Sequence, residues 1–330
     1  MNILVLLVIM LFPFHSNAQP PIEPIPVAAS IQPLADLAQQ VGGDRVKVTR
    51  LLPPGANPHS FDPSPSLVAS LSTAQVFFRV GAGLEYWADR IVSSGASGLK
   101  TVTLIDGLNG LDVLPFGEDD PQSRSDHGNN SRSDHGNNAR SDHGNNAHSD
   151  HGNNAHDDHG RDKHGAIDPH VWLDPLLAML MVDRIALELS LLDPSGSDYY
   201  VRRAELYKAE LKELHRNIAA YVSRFRTKEF VTFHNSWNYF ARRYGLKLAG
   251  IIEEAPGREA GPRKLAALVR RIRSSGIKVI FAETQFSPRA AEAIARESGA
   301  RVAMLDPMGE NSGYISMMRR NLAAMEEAMK

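Results

Sequence analysis

With thirteen histidines and no cysteine, imidazole is the group through which this 330-residue chain can handle metal ions. The absence of thiols excludes disulfide scaffolds, thiolate metal sites, iron–sulfur clusters and cysteine nucleophiles. Eight histidines, His127, His135, His143, His148, His151, His156, His159 and His164, share one polar stretch. His15 lies in an apolar N-terminal run. His215 stands among charged residues of a long helical pattern and reads as a solvated surface residue. Three remain: His59 in LLPPGANPHSFDPSP, His170 in IDPHVWLDP and His234 in FVTFHNSWNYF. Asp306, at the end of RVAMLDP, is a fourth candidate. Taken singly, such residues are ordinary loop and turn formers. Together, three neutral imidazoles and one carboxylate form a donor set suited to tetrahedral Zn²⁺, whereas Mn²⁺ favours more oxygen. A closed set of four leaves no position for a catalytic water. If Asp306 does not reach the ion, the site becomes an open three-histidine one.

These residues need a frame that ends at them. The pattern predicts strands at 26–30, 46–52, 75–80 and 101–105, with helices at 33–41, 65–73 and 84–94. A second set follows, with strands at 229–233, 247–252, 277–283 and 301–305 and helices at 237–244, 262–275, 288–298 and 314–329. Strands alternating with helices imply right-handed βαβ units and parallel sheets. The expected fold is therefore α/β, two lobes with mainly parallel sheets flanked by helices. In such sheets ligands bind beyond the carboxyl ends of the strands, where His59, His234 and Asp306 fall. Between the lobes, 198–226 places Tyr200, Ala204, Tyr207, Leu211, Leu214, Ile218, Tyr221 and Phe225 at steps of three and four, one long amphipathic helix. At 1.5 Å per residue it would run about 43 Å and brace both lobes. The expected organisation is an N-terminal lobe over 19–197, the linking helix at 198–226 and a C-terminal lobe over 227–330, with the metal in the cleft between the lobes.

Two segments stand apart. Residues 3–14 are an apolar run too short to span a bilayer, followed by small residues at Ser16 and Ala18. Residues 1–18 read as a secretory signal peptide cleaved near Ala18/Gln19, which places the mature protein in the periplasm. Within 119–165 the unit SDHGNN recurs every eight residues, at 125–130, 133–138, 141–146 and 149–154. With almost no apolar side chains this insertion cannot offset the entropy of ordering, and disorder is expected. It can bind several zinc ions weakly but cannot preorganise one tight site. Thirty-six basic against 38 acidic residues give no excess that would attract nucleic acid.

The motifs, in this order, resemble the zinc-specific, ZnuA/TroA-type (cluster A-I) solute-binding proteins of ABC metal importers. GANPHSFDPSP, DPHVWLDP, FHNSWNYFARRYGL, FAETQFSP and LDPMG carry the likeness, together with the His-rich insertion before the second histidine. The resemblance covers the whole mature chain. It implies a rigid linking helix, and His59, His170 and His234 as ligands with Asp306 where many members supply a carboxylate. Manganese-specific members carry a carboxylate at the position of His234. Pro58 removes the acidic ligand that some zinc members have just before the first histidine. Glu283 fits the motif in a structural hydrogen-bonding role, and Glu253 and Glu254 are assigned none. The implied function is high-affinity zinc binding, with Zn²⁺ as transported ligand and no enzymatic activity. The protein would be a monomer delivering zinc to an inner-membrane ABC permease, with a periplasmic zinc chaperone as a further partner and the His-rich loop as an auxiliary weak site. The alternatives are manganese or iron delivery, a three-histidine zinc hydrolase (although no HExxH or GxSxG motif is present), and an adhesin or zinc buffer built around the insertion.

Overall fold

In the computed structural model the described residues are 23–93, 98–108, 113–115, 167–255, 258–310 and 312–330. The signal-peptide expectation and all eight insertion histidines lie outside them. Two four-stranded sheets, each wholly parallel, form the two lobes. The first contains β1 (Ile25–Ala29), β2 (Val46–Arg50), β3 (Val76–Arg79) and β4 (Lys100–Thr103) in the order β2-β1-β3-β4. It carries α1 (Gln32–Gly42), α2 (Pro65–Ser70) and α3 (Tyr86–Ser93). Strand interiors such as Val27, Ala28 and Ala29, or Val76, Phe77 and Phe78, are buried in unbroken runs, as expected where helices cover both faces of a sheet.

Two helices follow, the second of which joins the lobes. α4 (Pro175–Leu192) begins on the Asp174 side chain, which accepts from Leu176 N at 2.9 Å, with Pro175 as its first residue. α5 (Ser197–Val222) returns alongside it, 26 residues or about 39 Å long. Tyr200, Ala204, Tyr207, Leu211, Leu214 and Ile218 are buried as the periodicity requires. The helix stops at Val222 rather than 226. Ser223 Oγ and Arg224 Nε both turn back to Ala220 O, competing for carbonyls of the last turn, while Arg226 N is taken by Met329 O. Tyr221, expected on the buried face, is 39% exposed with the Arg224 guanidinium over its ring. His215 also departs from expectation. Its Nδ1 lies 3.1 Å from Tyr244 OH, and burial lowers its pKa, so it belongs to a helix–helix contact rather than to open solvent.

The second lobe runs β5 (Glu229–Thr232), α6 (Asn238–Tyr244), β6 (Lys247–Ile251), β7 (Glu253–Ala255), β8 (Arg258–Glu259), α7 (Pro262–Ser275), β9 (Val279–Glu283), α8 (Arg289–Ser298), β10 (Arg301–Leu305) and α9 (Tyr314–Met329). Its sheet order is β10-β9-β5-β6, and the antiparallel β7–β8 pair is a small ribbon the periodicity did not announce. One continuous core runs from Val27 and Leu34 through Trp172, Leu177 and Leu211 to Trp237, Phe281 and Met318. α9 packs back on α1 and α5. There Asp36 Oδ2 accepts from Tyr314 N at 2.8 Å and Tyr207 OH at 3.2 Å. The two sheets are thus joined by shared packing as well as by the linking helix.

Candidate metal centre

Each histidine is placed by a different device. His59 follows β2 on a loop that Pro53, Pro54, Pro58 and Pro63 keep out of helix. Asn57 Oδ1 accepts from His59 N at 2.9 Å, and Trp87 Nε1 donates to Pro58 O at 3.0 Å, so both sides of the histidine are held. His234 lies two residues beyond β5, and Glu283 is the last residue of the neighbouring β9. Strand order departs in opposite directions at this pair, β6 beside β5 and β10 beside β9. The second sheet therefore places His234 and Glu283 at its topological switch point. His170 precedes α4, in a turn built on Asp168, whose Oδ1 accepts from His170 N at 3.0 Å.

The three imidazoles converge. Their candidate donor nitrogens all lie within 4.8 Å of one another, and the ring centroids are 4.8 to 5.3 Å apart. His59 Nε2 and His170 Nε2 are separated by 3.3 Å. Two nitrogens held at the Zn–N distance of a tetrahedral ion stand about 3.3 Å apart, so this edge of the tetrahedron is already formed. His170 Nδ1 lies 2.7 Å from Asp168 Oδ1, and His234 Nδ1 lies 3.2 Å from Glu283 Oε2. A carboxylate on Nδ1 keeps the proton there, leaves the Nε2 lone pair facing inward and fixes the ring plane. The carboxylates are themselves anchored. Ser236 Oγ donates to Glu283 Oε1 at 2.6 Å, Asn238 Nδ2 to Asp168 Oδ2 at 3.1 Å and Tyr239 OH to Asp168 O at 2.9 Å. His234 Nε2 is buried without a hydrogen-bond partner.

Electrostatics agree with the geometry. Burial, followed by the facing His170 and His234 rings, lowers the His59 pKa to about 2. Burial also lowers that of His170, against the opposing pull of Asp168. Both rings are thus neutral, the form that binds metals. Asp168 and Glu283 are 0% and 1% exposed, so two buried carboxylates face a cluster that a dication would neutralise. Trp172, Phe286, Pro307 and Met308 close the cavity, which offers about 10 Å³, room for one ion or one water and no organic ligand.

Asp306 does not join this group, contrary to expectation. Its Oδ1 accepts from Met308 N at 3.0 Å and Gly309 N at 2.8 Å, and its Oδ2 from Glu310 N at 3.2 Å. The Asp-Pro-Met-Gly turn thus holds the carboxylate through its own backbone amides. Asp168 is the residue that sequence reading missed. Its signal was the Asp-Pro-His spacing, which lets an aspartate cap the backbone two residues ahead and meet that residue's ring.

Such a fold defines a two-lobed α/β solute-binding protein, here with a three-histidine group that could hold a metal ion. The profile of the family described as "ZnuA: Zinc-uptake complex component A periplasmic" matches residues 27–328, and the chain belongs to that family. It is 35% identical over 301 residues to the high-affinity zinc uptake system protein ZnuA of Brucella abortus, covering 90% of this chain and 89% of that one. It is 28% identical to the zinc-binding lipoprotein AdcA of Streptococcus pneumoniae over 91% of this chain, but spans only 55% of that protein's length. A crystal structure of ZnuA superposes with a TM-score of 0.74 at 28% identity, covering 93% of this chain and all of that one.

Proposed function

We propose that the protein binds one Zn²⁺ through His59, His170 and His234 and delivers it to an inner-membrane ABC permease. The observation that carries this reading is the convergence of three imidazoles, two of them with the outward nitrogen against a buried carboxylate. Nitrogen donors in a tetrahedral frame favour zinc over manganese. The one-ion cavity suits a cargo ion and has no room for an organic substrate, which favours a binding protein over a hydrolase. Among the described residues no helix is long and apolar enough to cross a membrane, and the family is the periplasmic component of an uptake complex. Export through the 1–18 leader and capture of further zinc by the 119–165 insertion complete the proposal.

Metal competition on purified protein, with anomalous diffraction at the zinc and manganese edges, tests it. The expected result is one tight zinc on the three histidines. Tight manganese with zinc excluded, or esterase activity from a zinc-bound water, overturns it. Deleting 119–165 is expected to remove weak zinc sites and leave the tight one; weak sites that persist overturn the role of the loop.

A further inference from the structure

His170 belongs by chain order to the first lobe, yet bonds from the second lobe hold its segment on both sides. Upstream, Tyr239 OH on α6 donates to Asp168 O at 2.9 Å and accepts from Leu114 N at 3.0 Å. Asp168 N in turn donates to Leu114 O at 2.9 Å, and Pro115 pairs with Ile167 in an antiparallel bridge. Tyr239, Leu114 and Asp168 therefore close a ring in which each residue is bonded to the other two. Asn238, also on α6, donates from Nδ2 to Asp168 Oδ2 at 3.1 Å. Downstream, Trp172 Nε1 donates to Pro307 O at 2.8 Å and Tyr314 OH to Trp172 O at 2.6 Å.

A hydroxyl is the group this ring requires. Tyr239 is 2% exposed and burial pushes its pKa up, so the phenol keeps its proton and serves as donor and acceptor at once. Phenylalanine would keep the ring packing and leave Leu114 N and Asp168 O without their shared partner. The consequence reaches the histidine cluster through one residue, because Asp168 Oδ1 accepts from His170 N at 3.0 Å and faces His170 Nδ1 at 2.7 Å. His59 differs: Asn57 and Trp87, which hold its loop, both belong to the first lobe.

We infer that Tyr239 is a positioning residue for the metal centre, its hydroxyl fixing the Asp168 turn so that the second lobe sets the orientation of His170. The inference rests on the zinc-uptake reading above. The three donors then divide otherwise than the chain does. His170 and His234 form a pair held by the second lobe, and His59 alone faces them from the first. Relative movement of the lobes changes the distance from His59 to the pair and leaves the pair intact.

The test compares wild type, Y239F, D168A and the double variant, with N238A read by the same criteria should Y239F fold poorly. Y200F is the control, since Tyr200 OH donates to Asp193 Oδ2 at 2.9 Å at the opposite end of α4 from His170. Zinc affinity is measured by competition, and the Co²⁺ complex is followed by its visible absorption. Thermal unfolding of the metal-free proteins reports the cost of each lost hydroxyl to the fold. Y239F is expected to weaken zinc about tenfold and to change the Co²⁺ spectrum. Y200F is expected to keep zinc affinity within about twofold of wild type, whatever it does to unfolding. In D168A, where no carboxylate meets the His170 ring, adding Y239F should cost less than about twofold more. Zinc affinity within about twofold of wild type in Y239F, with an unchanged Co²⁺ spectrum, overturns the inference alone. So does a loss of about tenfold that persists in the D168A background or appears equally in Y200F. Wild-type protein that binds no zinc overturns the uptake reading, and this inference with it.

Discussion

The three-histidine cluster should destabilise the metal-free protein in acid, and His59 allows the size to be worked out. Its folded pKa of about 2 lies far below the usual 6.5 because the ring is enclosed beside two other imidazoles. The unfolded chain therefore binds a proton below pH 6.5 that the folded chain refuses until near pH 2. The stability present above 6.5 is lost as pH falls through that window, at about 1.4 kcal/mol per pH unit. At pH 5.0 the loss from His59 comes to about 2 kcal/mol, an upper figure because one edge of the ring is open to solvent. His170, also lowered, adds a loss of the same sign. Urea unfolding of metal-free wild type and H59N at pH 7.5 and 5.0 reads the difference. With an m-value of about 3 kcal/mol/M, His59 accounts for about 0.7 M of the wild-type midpoint shift, and H59N should lose that part while keeping the rest. Equal shifts in the two proteins would refute the argument, as would a wild type that gains stability in acid. Saturating zinc should restore the wild-type midpoint wherever the imidazoles still compete with protons.

Other expectations are sharper in direction than in size. D168N removes the charge from His170 Nδ1 while leaving an amide oxygen that can still accept from the His170 backbone, so zinc affinity in a competition titration should fall by about 10- to 100-fold. R243A leaves Asp174, 3% exposed and salt-bridged at 2.6 Å, as an unpaired buried charge; denaturant unfolding should show a loss of about 3 kcal/mol. Zinc binding should change the radius of gyration by less than about 1 Å in solution scattering, as in other preorganised complexes. The His170 segment is already bound to the second lobe through Trp172 Nε1 to Pro307 O at 2.8 Å and Tyr314 OH to Trp172 O at 2.6 Å.

What could be read in the sequence divides along the range of the forces involved. Strands such as 279–283 and helices such as 262–275 are set by local periodicity, and the expected ranges lie within a residue or two of those observed. The ends of α5 and the β7–β8 ribbon depend on partners distant in sequence, such as Met329 O for Arg226 N, and periodicity carries no trace of those. The same division holds at the site. The three histidines were legible because each follows a strand or a proline-rich turn that leaves few other roles for an imidazole. Asp306 stands outside the three-histidine group, and what its carboxylate meets is its own backbone, three amides in the next four residues. Asp168 was overlooked although the same kind of turn occurs there, with the opposite consequence: its Oδ1 caps the His170 backbone and also meets the ring.

That pair of turns shows how one motif can yield two different chemistries. In Asp-Pro-His the aspartate reaches forward to a residue whose own side chain returns to it, so the cap and the histidine orient each other. In Asp-Pro-Met the residue ahead has no such group, and the oxygens close on successive backbone amides instead. Residue type two positions downstream thus decides whether the carboxylate supports the metal site or only the loop beside it. Converting the second turn toward the first is then informative. M308H would place a fourth imidazole on a residue that already lines the cavity, with Asp306 Oδ1 accepting from that residue's amide at 3.0 Å. If the turn orients that ring as it does His170, M308H should hold zinc in an all-nitrogen set, tighter than wild type and slower to release. X-ray absorption that still shows three nitrogens and one oxygen would mean that the turn alone does not orient a ligand, and that the Asn238 and Tyr239 contacts to Asp168 are needed as well.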